Sequence, residues 1–256
     1  MLNSVARMNF DISDILNSWE YQAGQIVVRR FQGKDGQEKI QLRVDLGLLQ
    51  MNALGRPDGK QPFGHETLFE HYKARLAKYK KENEESEEGF KLDAEDCSKL
   101  QQEAIQFHHR YICLFQLKDY PGVLRDTERN IRVFDFVEQY AEARELAWSV
   151  MQLRPQLLMM QVRARATMAQ EAGDHSAAME VIASGIEELR AFFHKIDRPE
   201  LSEQSGEIQS LEVFLEEIRS TRPLTDRERI EKALEEAIRR EDYEKAAQYR
   251  DKLKNL

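Results

Sequence analysis

The chain has 256 residues, 41% of them hydrophobic and 33% charged, with a formal net charge of -8. This is enough apolar sequence to build a core, which excludes full disorder, and the charged excess is typical of helices with long solvated faces. The negative balance argues against a protein that holds nucleic acid by bulk electrostatics, Cys97 and Cys113 alone exclude a disulfide framework, and no apolar run approaches the ~18 residues of a membrane span. The first ten residues lack the continuous apolar stretch of a secretory signal, so the expectation is a soluble, cytoplasmic chain.

Seven of the twelve glycines fall in the first 64 residues, so hairpins are expected there and long helices after them. Residues 25–31 are rich in β-branched and aromatic side chains. In 39–46, Ile40, Leu42, Val44 and Leu46 alternate with polar residues, and Gly33-Lys34-Asp35-Gly36 between the two runs is a hairpin turn signal. Leu48, Leu49 and Met51 continue as a bent strand with Gly47 as a bulge. Arg56-Pro57-Asp58-Gly59 reads as a turn. A helix is expected from near His65 past Tyr79, on the spacing of Leu68, Phe69, Tyr72, Leu76 and Tyr79.

Residues 82–96 hold eight acidic side chains against Lys91. This segment therefore carries a net of -7, nearly all of the chain's excess, and reads as a solvated linker. The remainder reads as six helices. Their stripes are Leu100–Phe107–Leu114, Leu124–Ile131–Phe134, Leu146–Val150–Leu153, Leu158–Val162–Ala166, Ala178–Ile182–Leu189 and Ile208–Leu211–Leu215–Ile218. All six prolines fall at boundaries of this scheme. Gly173-Asp174, Ala178, Ile182 and Gly185 make the fourth and fifth helices resemble a tetratricopeptide-type hairpin.

Residues 228–256 read ERIEKALEEAIRREDYEKAAQYRDKLKNL. Ile230, Leu234, Ala237 and Ile238 form one helical stripe, and Tyr243, Ala246, Ala247, Arg250 and Leu253 form a second. Between them lies Glu241-Asp242, whose aspartate can cap the second helix. Ile230, Leu234, Ala237, the Glu241-Asp242-Tyr243-Glu244 turn, Ala246, Ala247, Arg250, Asp251, Leu253 and Leu256 resemble the UVR motif, the helical hairpin shared by the B and C subunits of the UvrABC excision-repair excinuclease. The resemblance implies an interaction module that pairs with other such hairpins. It does not by itself imply DNA incision, because the motif also occurs in adaptors outside repair. A hairpin of about 30 residues buries too little area to stand alone, and residues 226–256 carry nine basic and nine acidic side chains, a balance that suits protein pairing better than phosphate tracking.

Catalytic and metal chemistry finds little support. His109 and Cys113 share a helix face, with Cys97 and His108 nearby, but three or four convergent ligands are needed, so core and rim roles are preferred. His65-Glu66 and His71 lack the i, i+4 spacing of a zinc protease, and six positions place the two histidines well apart around a helix. No Gly-x-Ser-x-Gly or Walker A pattern is present. Arg29, Arg30, Lys34, Lys39 and Arg43, near Phe31, are an anion patch or, more simply, a solvated hairpin face. The basic block at Lys73–Lys81 is expected to be neutralised by its acidic neighbours, and Met151, Met159, Met160 and Met168 to fill core.

The expected fold is α+β and mainly α: an N-terminal β-hairpin and helix module (1–81), an acidic linker (82–96), a six-helix tetratricopeptide-like body (97–222) and a UVR-like hairpin (224–256). The expected function is a non-enzymatic adaptor without cofactor or metal. Its protein partner is another UVR-bearing protein or a second copy, met through Leu234, Ile238, Tyr243, Ala246, Ala247, Arg250 and Leu253. The alternatives are an accessory factor of nucleotide excision repair that contacts DNA or the excinuclease, and an enzyme with its site between the β module and the helices.

Overall fold

The computed structural model describes residues 11–224 and 226–254. The first ten residues, on which the reading of the N-terminus rests, and Leu256 of the UVR resemblance lie outside them. A short helix α1 (Ser13–Ser18) precedes strands β1 (Val27–Gln32), β2 (Glu38–Val44) and β3 (Gly47–Asn52), which form an antiparallel sheet in the order β1-β2-β3. Helices α2 (Leu68–Glu82), α3 (Ala94–Gln116), α4 (Tyr120–Tyr140), α5 (Arg144–Met151), α6 (Arg154–Glu171), α7 (His175–Lys195), α8 (Leu201–Gln204), α9 (Gly206–Thr221), α10 (Asp226–Arg239) and α11 (Tyr243–Lys254) follow. The chain is mainly α with a small sheet, as the composition and periodicity indicate.

The β1–β2 turn closes with the Gly33 N–H donating to the Gln37 carbonyl at 2.8 Å. Gly36 takes the left-handed conformation (φ 73°) that a three-residue hairpin loop requires. Val44 pairs with Gly47, so Asp45-Leu46 is the second turn. Leu46 is therefore 89% exposed and does not extend the apolar face of β2, and Gly47 opens β3 instead of forming a bulge. The inner face sets Ile40, fully buried, and Met51 against Tyr111, Leu114, Tyr120 and Val123 of α3 and α4.

Thr67 begins α2 by accepting the Glu70 N–H at 3.2 Å, the start of a capping box. His65 therefore lies before the helix. Its ring sits 5.4 Å from that of His71, which is also stacked on Phe63. This corrects the expectation that the two histidines stand apart: only His71 is on the helix, and the 3-10 turn Pro62–Gly64 folds His65 back toward it.

Residues 82–96 are not a solvated linker. Phe90 is 4% exposed and Leu92 fully buried. Phe90 packs edge-on against Tyr79 and Tyr140 with centroids 5.7 and 5.3 Å apart. Leu92 forms a parallel bridge with Ala141, and its N–H donates to the Tyr140 carbonyl at 2.8 Å. Burial of two apolar side chains outweighs the self-repulsion of glutamates that stay at the surface. The compact units are residues 1–212 and 213–256, so the division falls within α9 and not at the acidic segment. The body also holds a seventh helix, the single turn α8.

α6 and α7 are joined by Ala172, Gly173 and Asp174. Gly173 is left-handed (φ 81°) and ends α6, while Asp174 caps α7 by accepting the Ala177 N–H at 2.9 Å. Gly185 of α7 faces Val162 of α6, and a Cβ at 185 would lie 2.3 Å from Val162 Cγ2. Gly185→Ala is therefore expected to lower stability by about 1–3 kcal/mol. Val162→Ala in the same chain should return part of the loss, and urea midpoints of the two single variants and the double variant measure this coupling.

Candidate protein-docking hairpin

α10 and α11 form a hairpin whose turn is built by backbone chemistry. The Asp242 N–H donates to the Ala237 carbonyl at 2.9 Å and the Glu241 N–H to the Ile238 carbonyl at 3.0 Å, with Glu241 left-handed (φ 58°). This is the Schellman arrangement with glutamate where glycine is usual. Asp242 then starts α11. Its Oδ1 accepts the Lys245 N–H at 3.2 Å and its carbonyl the Ala246 N–H at 3.0 Å. Hydrogen bonds from Lys245 hold the Asp242 carboxyl below the usual carboxylate range.

The seven candidate residues divide by exposure. Ala246 is buried, like Ala237, because two alanines let the helices approach closely. Leu234, Ala247 and Leu253 are half-buried along the same seam. Ile238 is 52% exposed and Tyr243 70% exposed, and Arg250 is exposed and pairs locally with Asp251 at 3.0 Å. The hairpin thus uses its alanine seam to hold itself together. Ile238 and Tyr243, on either side of the turn, are the large apolar side chains that it leaves in solvent among its described residues. The periodicity did not separate these two roles, since residues one position apart on a helix can face a neighbour and solvent respectively.

The other candidate clusters are engaged within the fold. Arg29 donates to Gln41 at 2.7 Å and lies over the Trp19 ring at 4.2 Å. Arg30 pairs with Asp119 at 2.7 Å and Lys39 with Asp35 at 2.6 Å. Arg43 is buried, donating to the Trp19 carbonyl at 2.9 Å and the Gly47 carbonyl at 3.0 Å. Four of the five basic residues on the β-hairpin therefore serve the sheet and are not an open anion patch. Lys73, Lys78 and Lys80 pair with Glu70, Glu82 and Glu87. Cys113 is fully buried, and burial raises its thiol to about 12. His108 meets the Tyr111 hydroxyl at 2.6 Å, and burial lowers its ring to about 4. Among the described residues no three His, Cys, Asp or Glu side chains converge as a metal would require, and no helix is long and apolar enough to cross a membrane.

Sequence reasoning missed the buried ions. Arg110 and Asp126, both 1% exposed at the side chain, form a bidentate pair at 2.6 and 2.8 Å. Glu103 accepts the Leu68 N–H at 2.7 Å and pairs with Arg56 at 3.0 Å and with Arg129. Charged side chains on helices usually mark solvated faces, and no local signal distinguishes these.

Residues 227–256 match the UVR family, described as the UvrB/uvrC motif. No curated protein and no solved structure matches the chain. UVR motifs mediate interactions with protein or DNA, as in UvrABC. The α10–α11 hairpin, with its alanine seam and exposed Ile238 and Tyr243, is thus a UVR motif at the C-terminal end of this sequence.

Proposed function

We propose that the protein is a non-enzymatic, cytoplasmic adaptor whose UVR hairpin pairs with a helical hairpin of a partner, either another UVR-bearing protein or a second copy. The observation that carries this reading is the pair Ile238 and Tyr243, exposed on a hairpin with zero net charge. Large apolar and aromatic side chains anchor protein interfaces, whereas phosphate tracking requires a basic excess. The helical body, with its tetratricopeptide-like α6–α7 hairpin, would be the scaffold. The Ile40–Tyr111 core and the Arg110–Asp126 pair lie between the sheet and the helices, which supports a structural role for that interface.

The excision-repair alternative, contact with DNA, differs in its salt response. Titration of the full chain with a UVR-bearing protein and with duplex DNA, each at low and moderate salt, separates the two. The adaptor reading expects protein pairing that changes little with salt and negligible DNA binding. DNA binding that falls steeply as salt rises would favour the alternative.

A further inference from the structure

Within residues 1–212 a groove of about 640 Å³ opens between the C-terminal part of α4, helix α5 and the end of α7. Ala147 and Met151, both buried, form its floor, and Trp148 stands as a wall with 44% of its surface in solvent. Trp148 is one of two tryptophans in the chain. An exposed tryptophan beside an apolar floor has the composition of an interface anchor.

The rim decides what the groove accepts. Its cations are Arg144, Lys195 and Arg198, and its anions Glu138 and Glu145. Glu138 is taken by Lys195 at 2.7 Å. Glu145 lies in the first turn of α5, where the helix dipole offsets a negative charge. Among the described residues Arg198 pairs with Glu200 alone, two residues on and as exposed as itself, which counts for little in water. Arg144 has no carboxylate partner among the described residues. As the first residue of α5 it also has the wrong sign for its helix dipole. A cation that opposes its own helix and is not offset inside the fold marks a place where local consistency yields to another requirement.

We propose that this groove docks an acidic polypeptide segment of a partner protein, seating a large apolar side chain against Trp148 while its carboxylates meet Arg144 and Arg198. This surface is distinct from the UVR hairpin, and the proposal goes beyond the adaptor reading by giving the body a recognition site of its own. The full chain carrying Trp19→Phe reports on Trp148 alone by fluorescence. The probes are a short synthetic peptide with one leucine among glutamates, the same peptide with leucine replaced by alanine, and a third with lysine for each glutamate. The first is expected to shift Trp148 emission to the blue saturably, and the other two to bind at least tenfold more weakly. Arg144→Glu places a favourable charge in the first turn of α5 and so keeps the fold. It should weaken the glutamate peptide at least tenfold, since like charges across a contact are costly. In Trp148→Ala, read by anisotropy of a labelled peptide, the same loss is expected. Equal binding of the lysine peptide, or unchanged affinity in Arg144→Glu, would overturn the proposal. A blue shift that grows with protein concentration in the absence of peptide would also overturn it, by assigning the groove to a second copy of the chain.

Discussion

Arg110→Ala is expected to be among the most destabilising single substitutions in the chain, at about 3–5 kcal/mol. The arginine does three things at once. Its Nε and one Nη hold both oxygens of Asp126 at 2.6 and 2.8 Å, and its other Nη donates to the carbonyls of Asn52 and Gly55 at 3.0 and 2.7 Å. Removing it leaves a carboxylate with 1% of its side chain exposed to face Arg125 alone among the described residues, and the carbonyls of Asn52, at the end of β3, and Gly55, beyond it, without this donor. The cost comes mainly from the stranded charge, since breaking one side of a buried pair is far more expensive than never having the pair. Arg110→Met with Asp126→Leu should therefore be milder than Arg110→Ala alone. Against a total stability on the order of 5–15 kcal/mol, the single variant should show a large fall in the urea midpoint and weaker amide protection at β3. A cost below about 1 kcal/mol would mean that the pair does not join the sheet to α3 and α4.

The second large effect separates two kinds of hairpin residue. Leu234→Asp is expected to unfold the hairpin itself, because Leu234 lies one turn from buried Ala237 on the seam and a hairpin this small has little stability to spare. Far-UV circular dichroism should record helix loss close to the content of α10 and α11, with residues 1–212 retaining a cooperative melt. Ile238→Asp, at a position already half in solvent, should leave the helical signal unchanged. Equal helix loss in both variants would show that Ile238 also serves the seam.

Much of the fold was legible because its signals are local. Alternation in β2, the Gly33–Gly36 turn, helical stripes in α3, α4, α6 and α7, and prolines at boundaries are read within a few residues of where they act. The UVR hairpin was legible for the same reason, since Ala237, Asp242 and Ala246 are close in sequence. What escaped depends on partners far along the chain. The acidic segment read as a linker because its anchors, Phe90 and Leu92, gain their meaning from Tyr140 and Ala141 about fifty positions on. The buried ions Glu103, Arg110, Asp126 and Arg129 look like any charged helix face until the sheet and α2 close over them. The basic residues of the β-hairpin read as a solvated face, with an anion patch as the alternative, because the Trp19 layer that engages Arg29 and Arg43 has no periodic signal. The seven hairpin residues differ in exposure in a way the sequence did not reveal, because seam and surface positions on one amphipathic helix are neighbours in sequence.

The most direct measurement of the central claim is the affinity of the full chain carrying Ile238→Asp and Tyr243→Asp for a UVR-bearing protein, together with its own self-association, by titration calorimetry and sedimentation. The docking account predicts unchanged helix content and pairing weakened at least a hundredfold, as expected when two anchors worth about 2 kcal/mol or more each are lost. Pairing at the affinity of the unaltered chain, with the hairpin folded, would contradict it.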